Sequence, residues 1–203
     1  NVLLMHAGDF GQGTSYFSEM NGDIEIDVMN SLGFDVVCLG NHEFDNGTAE
    51  LARRLKNLKA KVVCANYDFK DSHLEGLVHP YVIVKKAGMK IGVIGLLTDI
   101  RRVVDKKIAA EFSYIEPVDV VNRYAQYLKN EKGCDLVMCL SHLGYEEDKE
   151  VAALIRNVDV IVGGHTHTLL HKKQEVKDLD GKPVVIVQNW KWGLNVGVLD
   201  IKY

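Results

Sequence analysis

The run Val36-Val37-Cys38-Leu39-Gly40-Asn41-His42-Glu43 decides the fold. Apolar, partly β-branched residues stop at a glycine and give way to polar side chains. Such a run, short and bounded by a turn residue, reads as a buried strand. The same punctuation recurs elsewhere. Val2-Leu3-Leu4-Met5 runs into His6-Ala7-Gly8-Asp9, and Leu136-Val137-Met138-Cys139-Leu140 runs into Ser141-His142. Val160-Ile161-Val162 runs into Gly163-Gly164-His165-Thr166-His167.

Helical patterns separate the apolar runs. Ile24, Val28 and Leu32 stand four apart, which predicts a helix over 24–32. Leu51, Leu55 and Leu58 predict another over 48–58, with Asn46 or Thr48 as its N-cap. Pro117 opens a helix to Asn130, since proline is tolerated in the first turn. Residues 146–156 read as a helix carrying Val151, Leu154 and Ile155. Further strands are expected at 62–65, 158–162, 184–187 and 196–201. Residues 81–84 and 90–94 flank Ala87-Gly88 as a hairpin, and the polar stretch 101–111 reads as a mobile loop. Alternating strands and helices argue for an α/β class, and the hairpin-like ends argue for a mixed sheet. Without an internal repeat or a Pro/Gly/Ser linker, residues 1–203 are expected to form one domain.

Composition removes several function classes. Apolar residues at 47% exclude global disorder. No run approaches about 18 apolar residues, so no membrane-spanning helix is expected. With 24 basic and 28 acidic side chains, no positive excess exists to hold a nucleic-acid polymer. Cys38, Cys64, Cys134 and Cys139 lack the C-x-x-C spacing of zinc or redox motifs and read as buried free thiols. The first residues form no signal peptide; the chain is expected to be cut into at its N-terminus.

In an open α/β sheet, ligands bind beyond the carboxyl ends of the strands. Asp9, Asn41, His42, His142, His165 and His167 therefore converge on one edge. Imidazole, amide and carboxylate donors together suit divalent ions such as zinc, manganese, cobalt or iron. A pair of such ions clamps a phosphate ester and activates a water for in-line attack. His42, beside Asn41 but pointing differently, is left as an acid or base, with Asp45 placed to orient it.

The motifs GDFGQGT (8–14), GNHEFDNG (40–47), SHLG (141–144) and GGHTHT (163–168) resemble the calcineurin-like metallophosphoesterase superfamily. Within it they resemble the catalytic domain of the bacterial 5′-nucleotidase/UDP-sugar hydrolase family, over nearly the whole chain. The resemblance implies a four-layer αββα sandwich of two mixed sheets between helices. It implies that Asp9 bridges two metals, that Asn41, His142 and His165 ligate the second, and that His167 ligates the first. It makes His42 the catalytic imidazole and Asp45 its partner. It implies a small nucleotide or phosphate ester as substrate and an extracytoplasmic location, in the periplasm or at the cell surface.

Several departures accompany the likeness. The family's first strand ends in an Asp-x-His that supplies the first metal; the chain is read as lacking it, and with it that strand. The family's C-terminal nucleotide-binding domain is also expected to lie on a removed segment or a separate partner. Around Asp148-Lys149-Glu150 the family has a longer loop. Trp190 and Trp192, two apart, are expected on one face of an extended segment, as packing or as a docking patch. Glu43 reads as structural. Hydrolysis of 5′-nucleotides is the first expectation. A 2′,3′-cyclic-nucleotide or other small-ester phosphodiesterase is the alternative, and a half-occupied, non-catalytic binding module is the third.

Overall fold

The computed structural model describes residues 2–202. Strand β1 (Met5–His6) leads through helices α1 (Ser15–Met20) and α2 (Asp23–Leu32) to β2 (Val36–Cys38). A 3-10 turn (His42–Phe44) and α3 (Thr48–Asn57) precede β3 (Lys61–Val63). Next come β4 (Tyr67–Asp68), β5 (Val78–His79), β6 (Tyr81–Lys86) and β7 (Met89–Leu97). A second 3-10 turn (Ile100–Arg102), α4 (Lys106–Ala109) and β8 (Ser113–Tyr114) lead to α5 (Pro117–Asn130) and β9 (Leu136–His142). The rest is α6 (Tyr145–Leu154), β10 (Val160–Gly163), β11 (Gln174–Lys177) and β12 (Pro183–Gln188).

Two sheets stack face to face. One has the order β1-β2-β3-β5, and the other β11-β12-β10-β9-β7-β6. The larger sheet is mixed, as expected: its outer pairs, β11/β12 and β6/β7, are antiparallel and its inner pairs parallel. The smaller sheet is parallel throughout its described pairings. A two-stranded ribbon, β4-β8, stands apart.

The period-2 alternation of strands sorts the side chains into three apolar layers. In β2, Val36 and Cys38 face the other sheet while Val37 packs toward the helices. In β9, Leu136, Met138 and Leu140 face the smaller sheet while Val137 and Cys139 face α5 and α6. Leu51 and Leu55 of α3 with Met29 of α2 cover one sheet; Val121 and Leu128 of α5 with Val151 of α6 cover the other. The result is helix, sheet, sheet, helix. Each large apolar side chain fully buried in these layers contributes roughly 1.5–3 kcal/mol.

The sheets are joined where it matters for function. A Cβ on Gly95 would run into the Val63–Cys64 backbone, so only glycine lets the layers close there. Beside it Ala65 N donates to Gly95 O at 2.8 Å. The buried Asn66 amide donates to Leu97 O at 2.7 Å and accepts from Leu97 N at 2.9 Å. These bonds pull the carboxyl ends of β3 and β7 together, so loops from both sheets share one edge.

Several expectations change. The helix over 24–32 forms, but it buries Ile26 and Met29 and leaves Val28 and Leu32 exposed. The four-residue repeat had picked the wrong stripe. The cap of α3 is Gly47, without a side-chain bond, and neither Asn46 nor Thr48. Stretch 101–111 is ordered: Asp99 caps the 3-10 turn, Asp105 caps α4, and Ile100 and Ala109 are buried. Residues 196–201 form no strand, and Val196 and Val198 are exposed, because no ladder partner lies beside them among the described residues. The shorter loop at Asp148 is an unbroken helix, α6, with Asp148 buried. Trp190 and Trp192 do not lie along an extended segment: both have left-handed backbones (φ 64° and 60°). The hairpin at Ala87-Gly88 forms with φ of 52° and 82°, the hand that matches strand twist. All four cysteines are free and buried. Among the described residues, no helix is long and apolar enough to cross a membrane.

Candidate metal centre

Asp9 follows β1 in a left-handed backbone, φ 57°, which a non-glycine residue adopts only under constraint. Glu43 supplies much of that constraint. Its fully buried carboxylate accepts from Asp9 N (2.7 Å), Phe10 N (2.9 Å), Gly11 N (3.3 Å) and Gly40 N (2.6 Å). Burial, and then the charge of Asp9, push the Glu43 carboxyl up to about 7. Because all four neighbours are donors, they favour the ionised form. The buried Arg54 donates from Nη2 to Glu43 O at 2.6 Å, tying α3 to the same turn. A Cβ on Gly40 would overlap the Asp9 carboxylate, so this position needs glycine.

The larger sheet supplies the facing half. His142 ends β9, and its Nδ1 lies 2.5 Å from Ala7 O. A carbonyl only accepts, so Nδ1 carries a proton; burial lowers the ring's pKa but the Asp9 carboxylate outweighs that and raises it, and whenever the ring is neutral Nε2 holds a free lone pair. His165 and His167 sit on the turn after β10 with φ of 69° and 53°. That turn is held by Gln188 at the end of β12. Its Nε2 donates to Gly164 O at 2.7 Å, and its Oε1 accepts from Thr168 N and, at 3.2 Å, from Thr166 Oγ1. Behind His142, Ser141 Oγ donates to the buried Asp148 carboxylate at 2.5 Å. Burial pushes the Asp148 carboxyl up to about 7.

These supports bring donor atoms of Asp9, His142 and His165 within 4.8 Å of one another. His142 Nε2 lies 2.9 Å from Asp9 Oδ2 without the alignment of a hydrogen bond, and it has no such partner. The buried Asn41 Oδ1 is unpartnered too. A buried polar atom left unsatisfied costs about 1–3 kcal/mol. An open His142 Nε2 beside the Asp9 carboxylate, with the buried Asn41 Oδ1 unpartnered as well, is what a divalent cation would satisfy, so the residues present fit a metal. Asp9 is held below the usual carboxylate range: burial pushes it up, but His142 outweighs that. His165 is lowered by burial and by His142. The exposed His167 stands outside the 4.8 Å group and is lowered by burial and by Lys191.

His42 is placed differently. Its backbone N donates to Asp9 Oδ1 at 3.0 Å, while its half-exposed ring puts Nδ1 2.8 Å from Asp45 Oδ2. Burial pulls its pKa down, the Asp45 hydrogen bond pulls it up, and the net position is above 6.5. His42 is thus an imidazole held by Asp45 beside the donor cluster.

Glu43 was legible only as structural, and Gln188, Arg54 and the Ser141–Asp148 pair were missed. Gln188 had one faint signal, a polar residue closing the apolar run Val184-Val185-Ile186-Val187. One Asp-x-His spacing does occur in the chain, Asp71-Ser72-His73. It lines an open surface hollow with Glu111, outside the donor cluster, because it follows a turn after β4 and no central strand. His6 stays out of the cluster as well: its ring stands edge-on to Phe10 and Phe34, and burial lowers its pKa to about 4.

Comparison with known proteins gives the same direction. The sequence profile of the calcineurin-like phosphoesterases matches residues 1–169. A probable 5′-nucleotidase of Treponema pallidum is 35% identical over 218 residues, across 100% of this chain and 37% of that protein. The NAD 5′-nucleotidase of Haemophilus influenzae is 33% identical over 218 residues, across 100% of this chain and 36% of that protein. Among solved structures, a 5′-nucleotidase precursor from Thermus thermophilus superposes with a TM-score of 0.89 at 38% identity, covering 94% of this chain and 40% of that one. The chain thus spans well under half the length of these relatives. A donor cluster at the joined strand ends, the matching profile and these relatives lead to one assignment: the chain belongs to the calcineurin-like phosphoesterase family.

Proposed function

We propose that this chain is the catalytic part of a metal-dependent phosphohydrolase that cleaves 5′-nucleotides or nucleotide sugars. One observation carries the reading: Asp9, His142 and His165 converge within 4.8 Å while His142 Nε2 and Asn41 Oδ1 are buried without partners. The names of the relatives, 5′-nucleotidase and NAD 5′-nucleotidase, support the substrate class.

On this reading Asp9, Asn41, His142 and His165 would hold one divalent ion, and Asp9 and His167 would contribute to a second. When bound, such ions polarise phosphoryl oxygens and make water a better nucleophile. His42 touches the phosphate. Asp45 accepts from Nδ1–H and steadies the doubly protonated ring, so its Nε2–H would hydrogen-bond the leaving oxygen and pass that proton to it, leaving the ring neutral. Base recognition falls to a further domain or partner, in line with the 36–40% share of the relatives that this chain covers.

The test is phosphate release from 5′-AMP by the native full-length protein, stripped of metal and then resupplied with manganese or zinc. Release that returns only with metal supports the reading. Release that ignores metal overturns the metal role, and activity confined to cyclic nucleotides or generic esters overturns the substrate.

A further inference from the structure

Gln188 stands where β12 runs beside β10, paired with Gly163, and it is 4% exposed. Its one amide makes its three side-chain bonds to alternate residues of a single turn: Gly164, Thr166 and Thr168. The residues between are His165 and His167, both left-handed. Non-glycine residues in that region are strained and persist only when their surroundings impose them. A primary amide suits the task because it donates with one atom and accepts with the other; carboxylate and apolar side chains lack one or both. Gly163 leaves room for two buried side chains, since a Cβ there would overlap Asp148 Oδ2 and meet Gln188 Nε2 at 3.0 Å.

We propose that Gln188 is the positioning residue of the metal centre, orienting His165 and His167, each toward its own ion, through the backbone between them. This rests on the metal reading above. Partners that orient a metal ligand typically change metal affinity by about 10–100-fold when removed.

Manganese is titrated into the metal-free full-length protein by calorimetry, for the native chain and three variants. Gln188→Met keeps volume and removes donor and acceptor; it should weaken binding about 10–100-fold. Thr166→Val removes the Thr166 Oγ1 bond to Gln188 together with those to Tyr145 N and Thr168 Oγ1; it should weaken binding a few-fold but less than Gln188→Met, and a loss as large as that of Gln188→Met overturns the proposal. Val184→Ala, in the same strand but facing the core, should lower the melting temperature and leave affinity unchanged. Amide exchange of Thr168 in the metal-free protein should accelerate in Gln188→Met alone, because its N–H has lost its acceptor. Native affinity in Gln188→Met, an equal loss in Val184→Ala, or unchanged Thr168 exchange overturns the positioning role. Native protein that binds no manganese overturns the metal reading, and the proposal with it. Binding that Gln188→Met leaves intact overturns the proposal alone.

Discussion

The two halves of the site are held by different kinds of buried hub. On the smaller sheet the hub is charged: Glu43 collects four backbone N–H groups from the loops after β1 and β2. On the larger sheet it is neutral: Gln188 accepts from two groups and donates to a third around one turn. The difference follows from what each loop offers. The turns at Asp9 and Gly40 present only N–H groups, and an anion satisfies them all. The turn at 163–168 presents carbonyl and donors together, which an amide matches with separate donor and acceptor atoms and a carboxylate cannot. A charged hub is stronger and less forgiving, since losing its charge strands several donors at once.

The largest expected effect lies on the charged side. His42→Ala should lower turnover by about 100- to 10,000-fold while metal content stays native. Steady-state kinetics with metal analysis checks it, and unchanged turnover would remove His42 from the chemistry. Next is Glu43→Gln, which points an amide N–H at groups that only donate. Denaturant unfolding should show a loss of about 3 kcal/mol, the scale of a charge-assisted bond left unmade. A loss below about 1 kcal/mol would erase the contrast between the hubs.

The third prediction sharpens the other side through pH. Asp148 has its folded pKa near 7 against an ordinary 3.8. Between those values the folded protein keeps a proton that the unfolded chain has released, so this group makes stability fall as pH rises from about 4 to about 7. Asp148→Asn cannot titrate, so its melting temperature should gain on the native protein by a few degrees between pH 5 and pH 8. Parallel curves would mean that Asp148 is ionised throughout. The smallest effect calibrates the rest. Thr14 Oγ1 caps α1 by accepting from Phe17 N at 3.1 Å, and Thr14→Ala should cost about 1 kcal/mol in the same unfolding assay.

Much of this was legible in the chain. Val36–Cys38 and Leu136–Leu140 declared their strands because a strand buried on both faces must be apolar throughout. β11 escaped because its sequence, Gln174-Glu175-Val176-Lys177, is polar on an edge where only Val176 packs inward. Helix α2 was found but rotated, because Ile24, Val28 and Leu32 make as good a stripe on paper as Ile26 and Met29.

By itself, then, the sequence determined the layers and the donors. Periodicity and glycine punctuation report local burial, and placing polar groups after apolar strands puts Asp9, Asn41, His42, His142 and His165 at one sheet edge. Only the tertiary structure decided what holds them there. Glu43 meets the loop of Asp9 from 34 positions away and Gln188 reaches back 24 to Gly164. Long-range hydrogen bonds to backbone carry no pattern along the chain, because any residue offers the same N–H and C=O. They exist only once Gly95 has let the two sheets close.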